Sequence, residues 1–367
     1  MKNKIKLLLI MPELYHGGAE KQFRNIASLI NKEKFDVTVA IEHSYKSRDT
    51  QLEKNYIREN SEIEFVSLSG LNSVAGKLKR YSSAILINCE ILPFLISHKP
   101  DIVMAYTLLG LKTAKLSNIL GATFIYGERN SGVYPDEFYR NQRVFLDSTK
   151  EIVANSKSAQ KRLKAHQLDV SYIPNGVETV STLPEEQLNQ FTVVVPARIA
   201  KIKNQEFLIR ALSRIHQKVK VQFVGKVEDA QYKVYLEQLA SDLNVRHKIE
   251  FVNYTSGVQE LYRKASLIVL PSISEGFSNV ILESYLYGRL CLLSDIEMNR
   301  DIGAPGQRYF SLNNTIELEN QLQEIIDLPS DKKELEIERN HNYAVENFSM
   351  EKMTMRYEKL FMKWGGV

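Results

Sequence analysis

Ser266-Leu-Ile-Val-Leu-Pro-Ser-Ile-Ser-Glu275-Gly276-Phe277-Ser278-Asn279-Val-Ile-Leu-Glu283 is the stretch whose reading decides the fold. Its apolar opening reads as a buried strand, its middle as a loop, and Asn279–Tyr287 as an amphipathic helix. A buried strand that hands over to a helix in this way is one unit of a parallel sheet. Glu275 falls in the strand-to-helix loop, and Glu283 just over one turn into the helix. Gly276 lets the backbone approach a ligand closely. The free N–H groups around Phe277, Ser278, Asn279 and Val280 point at that ligand with the positive end of the helix dipole. A diphosphate suits such a place, with a carboxylate on either side for hydroxyls, one for a transferred sugar and one for a ribose. Taken singly, each glutamate reads as a solvated loop acid or a dipole-favoured helix residue. The glycine and the strand–loop–helix setting tip the pair toward a binding site.

Outward from this stretch the same alternation continues. Downstream of Gln190, strands are predicted at Thr192–Ala197, Val221–Val224, Ile249–Val252, Leu267–Leu270 and Leu290–Leu293. Helices are predicted at Asn204–His216, Ala230–Leu243, Gly257–Lys264 and Asn279–Tyr287, with charged helical sequence over Ile316–Ile326 and Met350–Lys363. Upstream, strands are predicted at Ile5–Met11, Phe35–Ile41, Ile63–Leu68, Ile102–Tyr106, Thr123–Tyr126, Glu151–Ala154 and Ser171–Ile173. Helices are predicted at Gly18–Asn31, Ser73–His98, Leu109–Leu120, Pro135–Ser148 and Lys157–His166. Between the two series, Thr179–Gln190 turns polar and loses its apolar period, which marks a linker. With 367 residues there is material for two cores. The expectation is therefore an α/β protein with two doubly wound domains across a cleft, 1–178 and 179–349, and a last helix, 350–367, that crosses back.

Composition narrows the class. A hydrophobic fraction of 44% and a charged fraction of 25% suit a soluble globular protein. Cys89 and Cys291 lie far apart and offer neither a disulfide framework nor metal-ligand spacing, in keeping with a reducing cytoplasm. The basic, apolar N-terminus breaks at Pro12-Glu13 without a small-residue cleavage site, so it reads as a first strand and not a signal peptide. The apolar stretch Ala84–Ile96 is interrupted by Asn88, Glu90 and Pro93 and is too short to span a bilayer. The net charge of +4 divides unevenly: Met1–Glu178 holds 25 basic against 19 acidic residues, the remainder 23 against 25. That excess suits a negatively charged partner or membrane surface, although solvated surfaces often carry as much. No nucleic-acid partner is expected.

Several familiar chemistries drop out by inspection. Gly70-Leu-Asn-Ser-Val-Ala-Gly76-Lys77-Leu78 is one residue too long for a P-loop and lacks the Ser/Thr for magnesium. No G-x-G-x-x-G follows the first strand, and no G-x-S-x-G occurs. The histidines are too widely spaced for a local zinc motif. There is no Asp-x-Asp, and Asp295-Ile-Glu297 is the nearest approach, so no metal and no other cofactor is expected.

Two further elements add to the quoted one. Strand Thr192–Ala197 runs into Arg198-Ile-Ala-Lys-Ile-Lys203-Asn204, at the end of the sheet where ligands bind. Arg198 and Lys203 are placed there to neutralise a diphosphate. After the first strand comes Glu13-Leu-Tyr-His-Gly17-Gly18-Ala19-Glu20, whose paired glycines open a helix and permit close backbone approach.

Together these residues resemble glycosyltransferase family 4, retaining enzymes of the GT-B fold. The resemblance rests on the Glu-x7-Glu spacing of Glu275 and Glu283, on Arg198 and Lys203, and on Gly17-Gly18-Ala19-Glu20. Ala154-Asn155-Ser156, Tyr172-Ile-Pro-Asn-Gly-Val177 and the ending Asn347-Phe348-Ser349 before a helix also match. It spans nearly the whole chain, is most specific over Val193–Asp295 and thins over Glu42–Lys150. It implies that Glu275 contacts the donor sugar, that Glu283 binds the ribose, and that Arg198 and Lys203 hold the diphosphate. Gly17 and Gly18 would close the phosphate side, with Glu20 near the acceptor. The donor is then a nucleotide-diphosphate sugar, UDP-linked by preference and GDP-linked as the second choice. The acceptor is a glycan or lipid-linked sugar, met at the cytoplasmic face of an inner membrane in surface-polysaccharide biosynthesis. Retention would proceed on one face of the sugar, because no second carboxylate is left over for double displacement. One departure stands out. Where many members carry a histidine after a mid-domain strand, this chain reads Gly127-Glu128-Arg129-Asn130, so Glu128, Arg129 or Asn130 takes its place near the sugar. A turn whose charges pair with each other is the plainer reading there. Two rival classes share the fold: a nucleotide-sugar 2-epimerase, and a non-catalytic partner subunit.

Overall fold

Seven residues, Ile5-Lys-Leu-Leu-Leu-Ile-Met11, form the strand β1 around which the N-terminal sheet is built, and all but Lys6 are buried. In this computed structural model, residues 4–11, 18–42, 50–67, 83–129, 134, 136–179, 190–253 and 258–366 are described. They divide into two compact units, Met1–Gly176 with Met350–Val367, and Val177–Ser349.

In the first unit β1 leads to α1 (Gly18–Leu29), β2 (Phe35–Ile41), α2 (Thr50–Glu59) and β3 (Glu64–Ser67). Then come α3 (Ser83–His98), β4 (Ile102–Ala105), α4 (Leu108–Leu111), α5 (Ala114–Ile119) and β5 (Thr123–Glu128). The unit closes its sheet with α6 (Asp136–Leu146), β6 (Glu151–Ala154), α7 (Lys157–Ala165) and β7 (Val170–Tyr172). The strands are parallel in the order β3-β2-β1-β4-β5-β6-β7. Because successive side chains of a strand point to opposite faces, Leu7, Leu9 and Met11 enter one core and Leu8 and Ile10 the other.

The second unit runs β8 (Phe191–Pro196), α8 (Gln205–Leu212), β9 (Val219–Val224), α9 (Ala230–Asp242), β10 (Ile249–Val252) and α10 (Val258–Arg263). It continues with β11 (Leu267–Leu270), α11 (Asn279–Leu286), β12 (Leu290–Ser294), α12 (Glu297–Arg300), β13 (Arg308–Phe310), α13 (Thr315–Ile326) and α14 (Ser330–Phe348). Its six strands are parallel in the order β10-β9-β8-β11-β12-β13. Val193 and Val195 face one core, Val194 the other. After α14, α15 (Met350–Trp364) rejoins the first unit, where Met353, Tyr357, Leu360 and Phe361 are buried with β1 and β2. Two parallel sheets of seven and six strands covered by helices are the expected α/β class.

Four elements were not expected: α2, α12, α14 and β13. The helix expected over Leu109–Leu120 is two short helices, interrupted where the buried Thr113 hydroxyl donates to the Gly110 carbonyl at 2.7 Å. Of the expected linker only Thr179 and Gln190 lie within the described residues, and the P-loop-like stretch Gly70–Leu78 lies outside them. Among the described residues no helix is long and apolar enough to cross a membrane.

Candidate functional site

Each sheet reverses its strand order once, between β1 and β4 in the first unit and between β8 and β11 in the second. In open α/β sheets the crevice outside the carboxyl ends of the strands at such a reversal is where ligands bind. In the second unit the loops that follow β8 and β11 meet there. The Ile273 N–H donates to the Ile202 carbonyl at 2.9 Å, which ties one loop to the other. Residues Lys201–Lys203 form one short 3-10 turn, ended by Asn204 in the left-handed conformation (φ 53°). Gly225, after β9, is required at this edge: a Cβ there would lie 2.2 Å from the Ala197 carbonyl oxygen.

Lys203 and Glu275 face each other across this junction. The Lys203 ammonium donates to both carboxylate oxygens of Glu275 at 2.7 Å. Their side chains are 15% and 11% exposed, so the pair is largely shielded from water. The buried Ser272 hydroxyl adds a third bond, to Glu275 Oε1 at 2.6 Å. Ser272 is itself held, its carbonyl accepting from Ser294 Oγ at 2.7 Å.

Three residues after Gly276, α11 begins. Its N-cap, Ser278, makes no side-chain capping bond. The Ile281 N–H donates to the Ser278 carbonyl at 3.2 Å, and the positive end of the helix dipole favours a negative ligand here. One turn further on, Glu283 Oε2 accepts from the Tyr262 hydroxyl at 2.9 Å. Tyr262 is fully buried and stacks on Tyr287 at 5.1 Å, so it holds the glutamate from below. Burial first, and then the charge of Glu283, push the Tyr262 phenol well above its ordinary value, so it stays a hydrogen-bond donor.

Arg198 is not brought to this pair. Its guanidinium is ion-paired with Glu228, and both side chains are half exposed. Its carbonyl accepts from Gln205 Nε2 at 2.8 Å, which fixes the backbone but leaves the side chain in solvent. Lys203 is therefore the built-in cation, and Arg198 a cation on a surface tether.

In the first unit Gly18 is the first residue of α1 and Glu20 lies in its first turn; Gly17 and Asn130 lie outside the described residues. Glu128 and Arg129 do not form the mutual pair that a simple turn would give. Glu128, at the carboxyl end of β5, is buried and accepts from the Tyr134 hydroxyl at 3.0 Å on each oxygen. Arg129 lies 4.0 Å over the Tyr106 ring and donates to Asn175 Oδ1 at 3.2 Å and to the Tyr357 hydroxyl of α15. Burial alone would lower the Arg129 guanidinium, but the Tyr106 and Tyr357 phenols outweigh it and hold it above its ordinary value.

Sequence reasoning missed Ser272, Tyr262, Tyr287 and Glu228. Ser272 had a signal, a small polar residue three before Glu275. Tyr262 had only the general rule that a buried tyrosine hydroxyl finds a partner. Glu228 is unremarkable until β9 places its loop beside that of β8. Among the described residues no group of three or more His, Cys, Asp or Glu is arranged to hold a metal ion.

Residues 182–344 match the family model for glycosyl transferases group 1. A relative in Campylobacter jejuni is N-acetylgalactosamine-N,N'-diacetylbacillosaminyl-diphospho-undecaprenol 4-alpha-N-acetylgalactosaminyltransferase, 24% identical over 76% of this chain and 78% of that protein. An uncharacterized glycosyltransferase of Methanocaldococcus jannaschii is 32% identical, but over a stretch covering only 28% of this chain and 27% of that protein. Among solved structures, a glycosyltransferase from Rickettsia africae superposes with a TM-score of 0.80 at 19% identity, over 98% of both chains. HepE of Anabaena, in complex with UDP and glucose, gives a TM-score of 0.77 at 19% identity, over 98% of this chain and 100% of that one. The second unit is thus similar in sequence to group 1 glycosyl transferases, and the whole chain has the GT-B fold.

Proposed function

We propose that this chain is a retaining glycosyltransferase. It moves a hexosyl or N-acetylhexosaminyl group from a nucleotide-diphosphate sugar to a glycan or polyprenyl-linked sugar, in surface-polysaccharide biosynthesis. The observation that carries the reading is the Lys203–Glu275 pair at the β8/β11 reversal, beside the uncapped start of α11. The match of residues 182–344, the Campylobacter relative and the UDP-bound Anabaena structure support it. They support UDP as the nucleotide and a diphospho-polyprenyl-linked acceptor.

The roles follow from the geometry. The positive end of the α11 dipole and the Lys203 ammonium take the diphosphate, and Arg198 swings from Glu228 to join them. This positive charge stabilises the leaving group without a metal ion. A carboxylate has about four lone-pair sites, and Lys203 and Ser272 occupy three on Glu275. The remaining one accepts from a donor-sugar hydroxyl. A carboxylate so neutralised is a weak nucleophile, which favours reaction on one face of the sugar with the departing phosphate oxygen taking the acceptor proton. Glu283, aimed by Tyr262, anchors the ribose. In the first unit, Glu128, Arg129 or Asn130 takes the place in sequence of the family's histidine.

Calorimetric titration with UDP and GDP, followed by turnover of the corresponding sugars, tests this. UDP binding is expected, lost in Glu283→Ala. Glu275→Gln is expected to keep UDP binding while turnover falls about 10²–10³-fold, the usual loss of one preorganised contact. Full turnover in Glu275→Gln rejects the assignment of Glu275. Absence of any nucleotide binding rejects the glycosyltransferase reading.

A further inference from the structure

The first unit has its own strand reversal, and one acidic side chain is built across it. Glu42 directly follows β2, and its N–H donates to the Met11 carbonyl at the end of β1 at 2.8 Å. From there its side chain reaches over the end of β1 to the loop after β4, where the Thr107 hydroxyl donates to Glu42 Oε1 at 2.5 Å. The Thr107 oxygen accepts in turn from the Gly110 N–H at 2.9 Å. Gly110 has to be a glycine here, because a Cβ would lie 2.6 Å from Ala105 Cβ and 2.9 Å from Glu42 Oε1. Backbone, hydroxyl and glycine thus form a mount that holds one carboxyl oxygen at the reversal between β1 and β4.

The other oxygen is the unexplained feature. Glu42 is only 2% exposed, and its Oε2 is buried with no hydrogen-bond partner among the described residues. Leaving a buried carboxyl oxygen unmatched is unfavourable, and folded proteins seldom do so without a use for the group. Burial pushes the carboxyl up to about 7, against the opposing bonds from Thr107 and the Gly110 backbone. The group then changes charge near neutrality.

We propose that Glu42 is a binding residue of the first unit whose Oε2 takes a hydroxyl of the acceptor sugar at the β1/β4 reversal. This rests on the glycosyltransferase reading, which places the donor's features on the second unit and leaves the first for the acceptor. The chemistry selects a neutral, hydroxyl-bearing ligand. A phosphate would be repelled by the carboxylate, whereas a hydroxyl can donate to the ionised oxygen or accept from the protonated one. A hydroxyl that donates to Oε2 favours the ionised form, so binding near pH 7 releases a proton. The titratable group facing Glu42 from β5 is Tyr126, whose phenol burial pushes well above its ordinary value and keeps neutral.

The test uses the full chain with UDP present and p-nitrophenyl glycosides of N-acetylgalactosamine, N-acetylglucosamine, galactose and glucose as acceptor probes. Calorimetry at pH 7 in two buffers of different ionisation enthalpy is expected to show proton release on binding of the preferred glycoside by the wild type, and none in Glu42→Gln. Glu42→Gln is expected to raise the acceptor KM at least tenfold, with kcat and UDP affinity nearly unchanged. Thr107→Val, which keeps the carboxyl but unmounts it, is expected to raise that KM by a smaller factor. A Glu42→Gln protein with wild-type acceptor KM and an unaltered pH profile overturns the proposal. So does a wild type that binds UDP but releases no proton with any of the four glycosides. Failure to bind UDP at all overturns the glycosyltransferase reading first, and so separates the two.

Discussion

At Glu42 the folded chain holds a proton more tightly than the unfolded chain does, because burial lifts its carboxyl from 4.5 to about 7. An acid whose value is raised on folding contributes stability that is complete below pH 4.5 and lost as pH rises through about 7. The shift amounts to about 3 kcal/mol of native-state stability forfeited by pH 8. Glu42→Gln removes the charge while keeping the shape. Its melting temperature should therefore match the wild type at pH 5 and exceed it at pH 8 by roughly 6–12 °C, taking 2–4 °C per kcal/mol. Equal increments at both pH values would mean that the gain comes from packing and not from the charge. At Arg198 the balance differs, because its bond to Glu228 lies in solvent, where such pairs contribute about 0–1 kcal/mol. Releasing the arginine to a diphosphate therefore costs little. Glu228→Gln should raise UDP affinity, by at most about fivefold, in a calorimetric titration. A fall would show that Arg198 is placed to serve Glu228.

At the scale of elements, legibility follows periodicity. The unit β11–loop–α11 could be read from sequence because a fully buried strand and a helix opening leave unmistakable apolar patterns. Helix α14 could not: its 19 residues bury only Asn340, Ala344 and Phe348, one residue per turn and one of them polar. Strand β13 is three residues long and carries Arg308 and Tyr309, too short for a period to show. The candidate site divides likewise. Glu275 and Lys203 were both recognisable as charged residues at loop positions, but their 2.7 Å contact spans 72 positions in sequence and depends on β8 lying beside β11. A crossover sets that adjacency, and no local pattern records it. The close approach at Gly225 depends on the same packing, where β9 leaves the sheet against the end of β8. Gly225→Ala drives a Cβ against backbone and not against a movable side chain. Overpacking of this kind costs about 1–3 kcal/mol, and here it would displace the Arg198 loop. Chemical denaturation should show that loss, with UDP affinity falling at least tenfold. A variant that binds UDP as the wild type does would show the loop to be indifferent to this edge.

For the whole molecule, the two sheets were readable as two series of alternating strands and helices, while the return of the chain to its first unit is a matter of connectivity with energetic consequences. The second unit is continuous in sequence, Val177–Ser349, and its two cores are made of its own residues. The first unit is not: α15 supplies Met353, Tyr357, Leu360 and Phe361 to the core that covers one face of β1 and β2. Burying each such side chain is worth about 1.5–3 kcal/mol. Losing four removes on the order of 6–12 kcal/mol, comparable with the entire stability of an ordinary domain. Tyr357 also accepts from Arg129, so its loss leaves a buried cation without that partner. A chain truncated after Ser349 should therefore lose the folding of its first unit and keep that of its second. Differential scanning calorimetry gives the readout. The truncated chain should retain one cooperative transition, and UDP at a hundred times its dissociation constant should stabilise it by about 2.7 kcal/mol. Two surviving transitions would show that the first sheet stands without α15. A single transition that UDP fails to shift would show that the second unit needs more than its own residues to bind the nucleotide.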